Sequence, residues 1–162
     1  MDTASTLLFL QEFAYLLGVF GFFLVYSIAR GRQAVINLIT GLYFALLISV
    51  EFPYYDIFLQ NAGGGQTEAM GKVIIFFVFT VVSTILMARL MPNPYKEGKF
   101  ESLFKKVLLA VGGTVLIMVY SFQVLPVTEF VTPGSPIQAA FAPTEYFFWW
   151  LIAPLVGLFF LY

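Results

Sequence analysis

Nine carboxylates and eight cationic side chains are the whole charged complement of this 162-residue chain, which has no histidine and no cysteine. That excludes disulfides, thiolate clusters, zinc sites built from Cys or His, imidazole proton shuttles and histidine ligation of haem. The remaining Ser, Thr and Lys residues show no recognisable catalytic spacing, so no catalytic residue, metal or cofactor is expected. The groups that spacing does bring together are Glu12, Glu51, Asp56 and Lys72. Glu12 lies 19 residues before Gly31 and Glu51 lies 20 after it. At about 1.5 Å per helical residue, both carboxylates come to nearly the same height. Lys72, 17 residues before Arg89, reaches a similar level, and Asp56, Glu68, Glu129 and Glu145 fall on the same side.

Such an acidic mouth with one lysine would draw in a cation or proton, with Glu12 its deepest group. The plainer reading, taken as the default, starts the first helix near Phe13 and leaves Glu12 among lipid headgroups. An ionisable group costs roughly 2.5–3.5 kcal/mol at the centre of a span and far less at its edge. No acidic or basic residue falls at the centre of any expected span, which argues against a proton relay.

The elements that must hold these groups follow from composition. Hydrophobic residues make up 60% of the chain and charged residues 10%, against about 45–50% and about 25% in soluble domains. Twenty Phe and nine Tyr add to the bias. Lipid must therefore be the solvent for much of the surface, and the length suits a single domain, residues 1–162. A helix needs about 20 residues to cross the hydrocarbon layer. Spans are expected at about 6–29, 34–50, 71–88, 107–124 and 146–162. The last is short and carries Pro154, so a full span and a shallow dip both stand open for it. The expected fold is an all-α polytopic transmembrane bundle of five spans.

Arg30-Gly31-Arg32 leaves room only for a tight reversal between the first two spans. Arg30, Arg32, Arg89, Lys96, Lys99, Lys105 and Lys106 fall on one side if the helices alternate, with only Lys72 on the other. The positive-inside rule then puts the amino terminus outside and the carboxyl terminus in the cytoplasm. The opening residues have no basic n-region, so the first helix is expected to stay as its own insertion signal. Met91-Pro92-Asn93-Pro94 stops the third span. Phe100, Leu103, Phe104 and Val107 then recur at helical spacing among lysines, as in a short amphipathic helix on the inner headgroups. In the loop at residues 51–71, Phe52, Tyr54 and Tyr55 read as an interfacial belt. Gly71-Lys72 resembles the end of a P-loop, but Gln66 replaces its first glycine and Val73 its Ser/Thr, so nucleotide binding is rejected. Ser135-Pro136 reads as an N-cap with proline at the first helical position, opening a mini-helix over 137–142. Phe147-Phe148-Trp149-Trp150 anchors the last segment.

Small residues line single faces: Ala14, Gly18 and Gly21; Asn37, Gly41 and Ala45; Ala110, Gly113 and Thr114; Ala153 and Gly157. Such faces let helix backbones approach closely in lipid, and Asn37 can add a hydrogen bond across the contact. Packing within the chain and packing against a second copy or another subunit both remain open. No internal repeat suggests an inverted-repeat transporter.

Ile28-Ala29-Arg30-Gly31, followed by an apolar span ending near Phe52-Pro53, resembles the first half of the colicin V production protein family. Phe104-Lys105-Lys106, leading to Gly112-Gly113, is similar to its later half. The resemblance covers about residues 7–124 and departs at the aspartate that members often carry before the glycine-bearing helix. It implies a bacterial inner-membrane protein linked to export or envelope homeostasis, with no catalytic residues to carry over. The expected role is a non-enzymatic scaffold or accessory subunit whose partners are the bilayer and other membrane subunits or copies of itself. A channel or small transporter subunit with an acidic outer vestibule is the alternative. Nucleic acid is not an expected partner.

Overall fold

The computed structural model describes residues 3–59, 65–91, 103–125 and 136–161, but not the side chains of residues 3–9, 11, 12, 136 and 161. The described residues form helices and no strand. In chain order these are α1 (Thr3–Arg30), α2 (Arg32–Val50), α3 (Tyr55–Leu59), α4 (Gln66–Leu90), α5 (Leu103–Val119), α6 (Pro136–Phe141) and α7 (Phe147–Leu161). A π turn, Tyr120–Val124, prolongs α5, and a 3-10 turn, Thr144–Tyr146, leads into α7.

The reversal between α1 and α2 rests on one residue. Gly31 has φ of 86°, a backbone state in which a side chain would be strained, and its N–H bonds the Ser27 carbonyl at 3.0 Å. Four stretches are long and apolar enough to cross a membrane: 18 residues at Phe13–Arg30, 19 at Arg32–Val50, 25 at Gln66–Leu90 and 22 at Leu103–Val124. At about 1.5 Å per residue they run from about 27 to about 38 Å, against a hydrocarbon layer of about 30 Å. The 15-residue α7 is shorter, about 22 Å.

Helix α1 runs antiparallel to α2 and α5, and α4 to α2, while the two central helices α2 and α5 run parallel. Tyr15 and Ser121 share a hydrogen bond of 2.9 Å, and Phe23 lies against Gly113, eight residues further along α1 and eight back along α5. Gly41 of α2 meets Thr84 of α4, and Gly112 of α5 meets Pro154 of α7. The alternation gathers Arg30, Arg32, Arg89, Lys105 and Lys106 at one end and leaves Lys72 at the other. The two ends are called here the arginine end and the lysine end.

Helices α2 and α5 form the centre. They bury 39% and 56% of their spanning windows, against 11% for α1 and 22% for α4. α1 packs on α5 and α2, α4 on α2, and α7 on α5. The buried core includes Phe23, Ile39, Leu42, Leu116 and Tyr120. α7 continues through Pro154, which leaves the Trp150 carbonyl without its usual donor. One residue on, the Tyr43 hydroxyl donates to the Leu151 carbonyl.

Several boundaries differ from expectation. α4 starts at Gln66, five residues before the expected Gly71, because Gly65, at φ of 59°, turns the chain into it. Leu103 and Lys106 belong to α5 itself, with Leu103 and Phe104 exposed, so the described part of the amphipathic stretch is continuous with the span. Phe100, Lys96, Lys99, Pro92 and Pro94 lie outside the described residues. The mini-helix after Ser135 is present as α6.

Candidate functional site

Two cavities meet at the lysine end, and the π turn of α5 stands between them. A π turn widens the helix by one residue, as seen in the 2.7 Å bond from the Leu125 N–H to the Tyr120 carbonyl five residues back. This sets Ser121 toward Tyr15 on α1. It also sets Gln123 toward the end of α6, where its amide donates to the carbonyls of Phe141 at 2.7 Å and Pro143 at 3.2 Å. The Trp150 indole bonds the Ala140 carbonyl at 3.0 Å, so α6 is held from both sides. Leu125 lines both cavities.

The first cavity is a vestibule of about 580 Å³ whose polar lining comes from Ser49, Tyr55, Lys72, Gln123 and Thr144. The rest of its lining is apolar: Leu46, Val50, Val124, Leu125 and Phe147. Ser49 and Tyr55 share a hydrogen bond that ties the end of α2 to α3. A smaller recess of about 390 Å³ opens beside it, lined by Tyr55, Asp56, Leu59, Glu68 and Lys72. Lys72 donates to Glu68 at 2.7 Å, one helical turn away, with both side chains more than a third exposed.

The structure therefore brings Asp56 and Lys72 to one recess and adds Glu68, the partner that spacing alone did not single out. Glu51 does not join them. It caps α2 at the surface, its N–H on the Leu47 carbonyl. The Glu12 side chain lies outside the described residues. Tyr55 was read only as part of an interfacial belt, and Ser49, Gln123 and Thr144 had no signal in the sequence, since a lone hydroxyl or amide near a helix end is common.

The second cavity is an apolar cleft of about 690 Å³ between α1 and α4, with α2 and α5 as its floor. Tyr15, Gly18 and Phe22 form one wall, Phe77, Thr80 and Val81 the other, and Leu42 and Ile117 lie beneath. No charged residue lines it. Thr80 bonds the Phe76 carbonyl at 3.0 Å and Ser121 bonds Tyr15, whereas the Thr84 and Tyr120 hydroxyls that also line the cleft are buried without a hydrogen-bond partner.

The small residues divide into two sets. A Cβ on Gly41 would lie 2.9 Å from backbone atoms of Thr84, and one on Gly113 would meet the Phe23 ring. Ala45 is fully buried. Gly18, Gly21 and Gly157 have open space where a Cβ would stand. Asn37 is buried, but its carbonyl oxygen accepts from Gln33 on the same helix at 3.1 Å, not across an interface.

Among the described residues no group of three or more Asp or Glu side chains is placed to hold a metal ion. Compared with protein-family models, curated proteins and solved structures, the chain matches none.

Proposed function

We propose that the chain is a small integral protein of the bacterial inner membrane, acting as a non-enzymatic scaffold or accessory subunit of a membrane assembly. The observation that carries this reading is the division of the small residues. Gly41 and Gly113 are used up by contacts inside the chain, whereas Gly157 faces open space with Ala153 exposed one turn before it. A bare small-residue face lets the backbone of a second helix approach closely. A link to export or envelope homeostasis rests on the resemblance to the colicin V production family alone.

Five spans, with the amino terminus outside and the carboxyl terminus in the cytoplasm, complete the proposal. Gly112 meets Pro154 nine residues above the start of α5, and α7 runs seven residues past Pro154. By helical rise, α7 then ends about 3 Å short of the level of Leu103. The cluster of basic residues at the arginine end supports placing that end in the cytoplasm. The channel alternative has its acidic recess, but apolar side chains, among them Leu46, Val124 and Phe147, line much of the adjoining vestibule, which supports the scaffold reading over it.

Native mass spectrometry in mild detergent tests the association. The parent should carry a second copy or another subunit, and Gly157→Leu should release it without changing thermal stability. A parent that is a solitary monomer would sink the proposal.

A further inference from the structure

We propose that the arginine end is a docking surface for the headgroups of anionic phospholipids, a reading that rests on the membrane location proposed above. Helix register brings its cations to one level. Phe23 meets Gly113, and Tyr15 meets Ser121. Seven residues on from Phe23 stands Arg30, and seven back from Gly113 stands Lys106, so the two are level. Arg32 joins them across the Gly31 reversal. Gly41 meets Thr84, which sets Arg89 level with Ile36, four residues inside Arg32. That is about 6 Å at the helical rise, a reach that an arginine side chain covers. In sequence, the connection from α4 to α5 adds Lys96 and Lys99 along with Glu97 and Glu101. This end and its connection therefore carry seven cations against two carboxylates, a surplus of positive charge that the chain itself does not neutralise. The other seven carboxylates fall on segments toward the lysine end, with Lys72 as their one cationic side chain.

What surrounds the charges selects a lipid over a soluble acidic partner. Arg30 and Arg89 are exposed, and each has large apolar side chains exposed within one helical turn. Ile28 stands beside Arg30, and Leu86 and Leu90 beside Arg89. Leu103, Phe104 and Val107 are exposed around Lys106 in the same way. Cationic and apolar groups thus lie side by side along one rim. A phospholipid answers both, with its phosphate on the cations and its hydrocarbon on their apolar neighbours. A soluble acidic protein would answer only the charge and leave Phe104, 75% exposed, facing water. A zwitterionic lipid offers the same hydrocarbon, but its own cation offsets its phosphate. The surplus charge therefore favours phosphatidylglycerol over phosphatidylcholine, and at this end alone, because the lysine end has the opposite sign.

The test uses the full chain in phosphatidylcholine nanodiscs, open to solvent on both faces, with a trace of spin-labelled phosphatidylglycerol or phosphatidylcholine. The motionally restricted fraction of each label gives the relative affinity of the two lipids. Phosphatidylglycerol should be preferred about fivefold, the effect of one fully engaged cation. Raising salt to about 0.5 M should bring the preference toward parity. Arg30→Gln, Arg89→Gln and Lys106→Gln combined should do the same. Arg30→Lys with Arg89→Lys keeps the charge and should keep the preference, and Lys72→Gln, at the other end, should leave it unchanged. Equal restriction of the two lipids by the parent, a preference indifferent to salt, or one that survives the triple Gln variant would overturn the proposal. So would displacement of phosphatidylglycerol by polyglutamate at about 0.15 M salt, because a soluble acidic chain would then be the better occupant. If the triple variant does not enter nanodiscs, the salt dependence of the parent decides. Entry of the parent into nanodiscs scores the membrane location separately, so the two readings fail independently.

Discussion

Phe23 on α1 occupies the space that a side chain at position 113 on α5 would need: a Cβ built on Gly113 falls 2.5 Å from its Cδ1 and 2.7 Å from its Cζ. Both residues are buried, and the contact lies in the same antiparallel register as the Tyr15–Ser121 bond. Gly113→Ala should therefore overpack the α1–α5 interface and lower stability by about 1–3 kcal/mol. Trimming the ring should relieve the clash, so Phe23→Leu combined with Gly113→Ala should cost less than the sum of the two. Unfolding in a graded detergent titration measures this, and strictly additive losses would contradict the contact.

Glycines at other positions should behave in opposite ways. Gly41 meets backbone atoms of Thr84 at 2.9 Å, and backbone cannot turn aside as a flexible side chain can. Gly41→Ala should push α2 and α4 apart and cost at least as much as Gly113→Ala. Gly18→Ala and Gly21→Ala meet nothing and replace the residue with the lower helix propensity. They should leave stability unchanged or raise it by up to about 1 kcal/mol. Equal losses at positions 18 and 41 in the same titration would show that this division of the small residues is wrong.

That division was not legible in the sequence, and the reason is physical. In water, a helix declares its buried face by polarity, whereas in lipid both the packed and the exposed faces are apolar. The runs that became α1, α2, α4 and α5 could be read from length and hydropathy. The glycine reversal at Gly31 and the proline start of α6 could be read from local backbone chemistry. Periodicity placed Gly18 and Gly113 on equivalent stripes, yet only Gly113 has a neighbour. The π turn left no trace, because it is set by what Ser121 and Gln123 reach, through Tyr15 and the Phe141 carbonyl, across large sequence separations. Glu51 was grouped with Asp56 and Lys72 by height alone, and height does not fix the direction in which a side chain leaves its helix.

Tyr43 supplies a donor next to the backbone gap that Pro154 creates in α7. A hydrogen bond of this kind between helices in a membrane is worth about 1 kcal/mol. Tyr43→Phe should cost about that much and loosen α7. Cysteine accessibility at Ala153 should rise in that background, and an unchanged stability would show that the Leu151 carbonyl needs no second donor.

The Lys72–Glu68 pair should matter little to stability. Both side chains are more than a third exposed, and an exposed pair one turn apart contributes about 0.3–0.5 kcal/mol before salt screens it. Lys72→Gln should shift the unfolding midpoint by less than the error of Gly113→Ala. A large loss would mean that Asp56 or another group of the recess depends on the ammonium for its placement.

Gln123 joins the π turn to the lid of the lysine end, because its one amide group serves the carbonyls of Phe141 and Pro143 together. Those two carbonyls mark the end of α6, a six-residue helix too short to persist without outside support. The indole of Trp150 supplies the other anchor, at Ala140. Gln123→Leu keeps the bulk of the side chain and removes both donors. It should cost about 1 kcal/mol and raise amide hydrogen exchange across α6 while leaving α2 and α4 protected. If exchange in α6 stays as slow as in the parent, Trp150 alone holds the lid, and the π turn serves only to aim Ser121 at Tyr15.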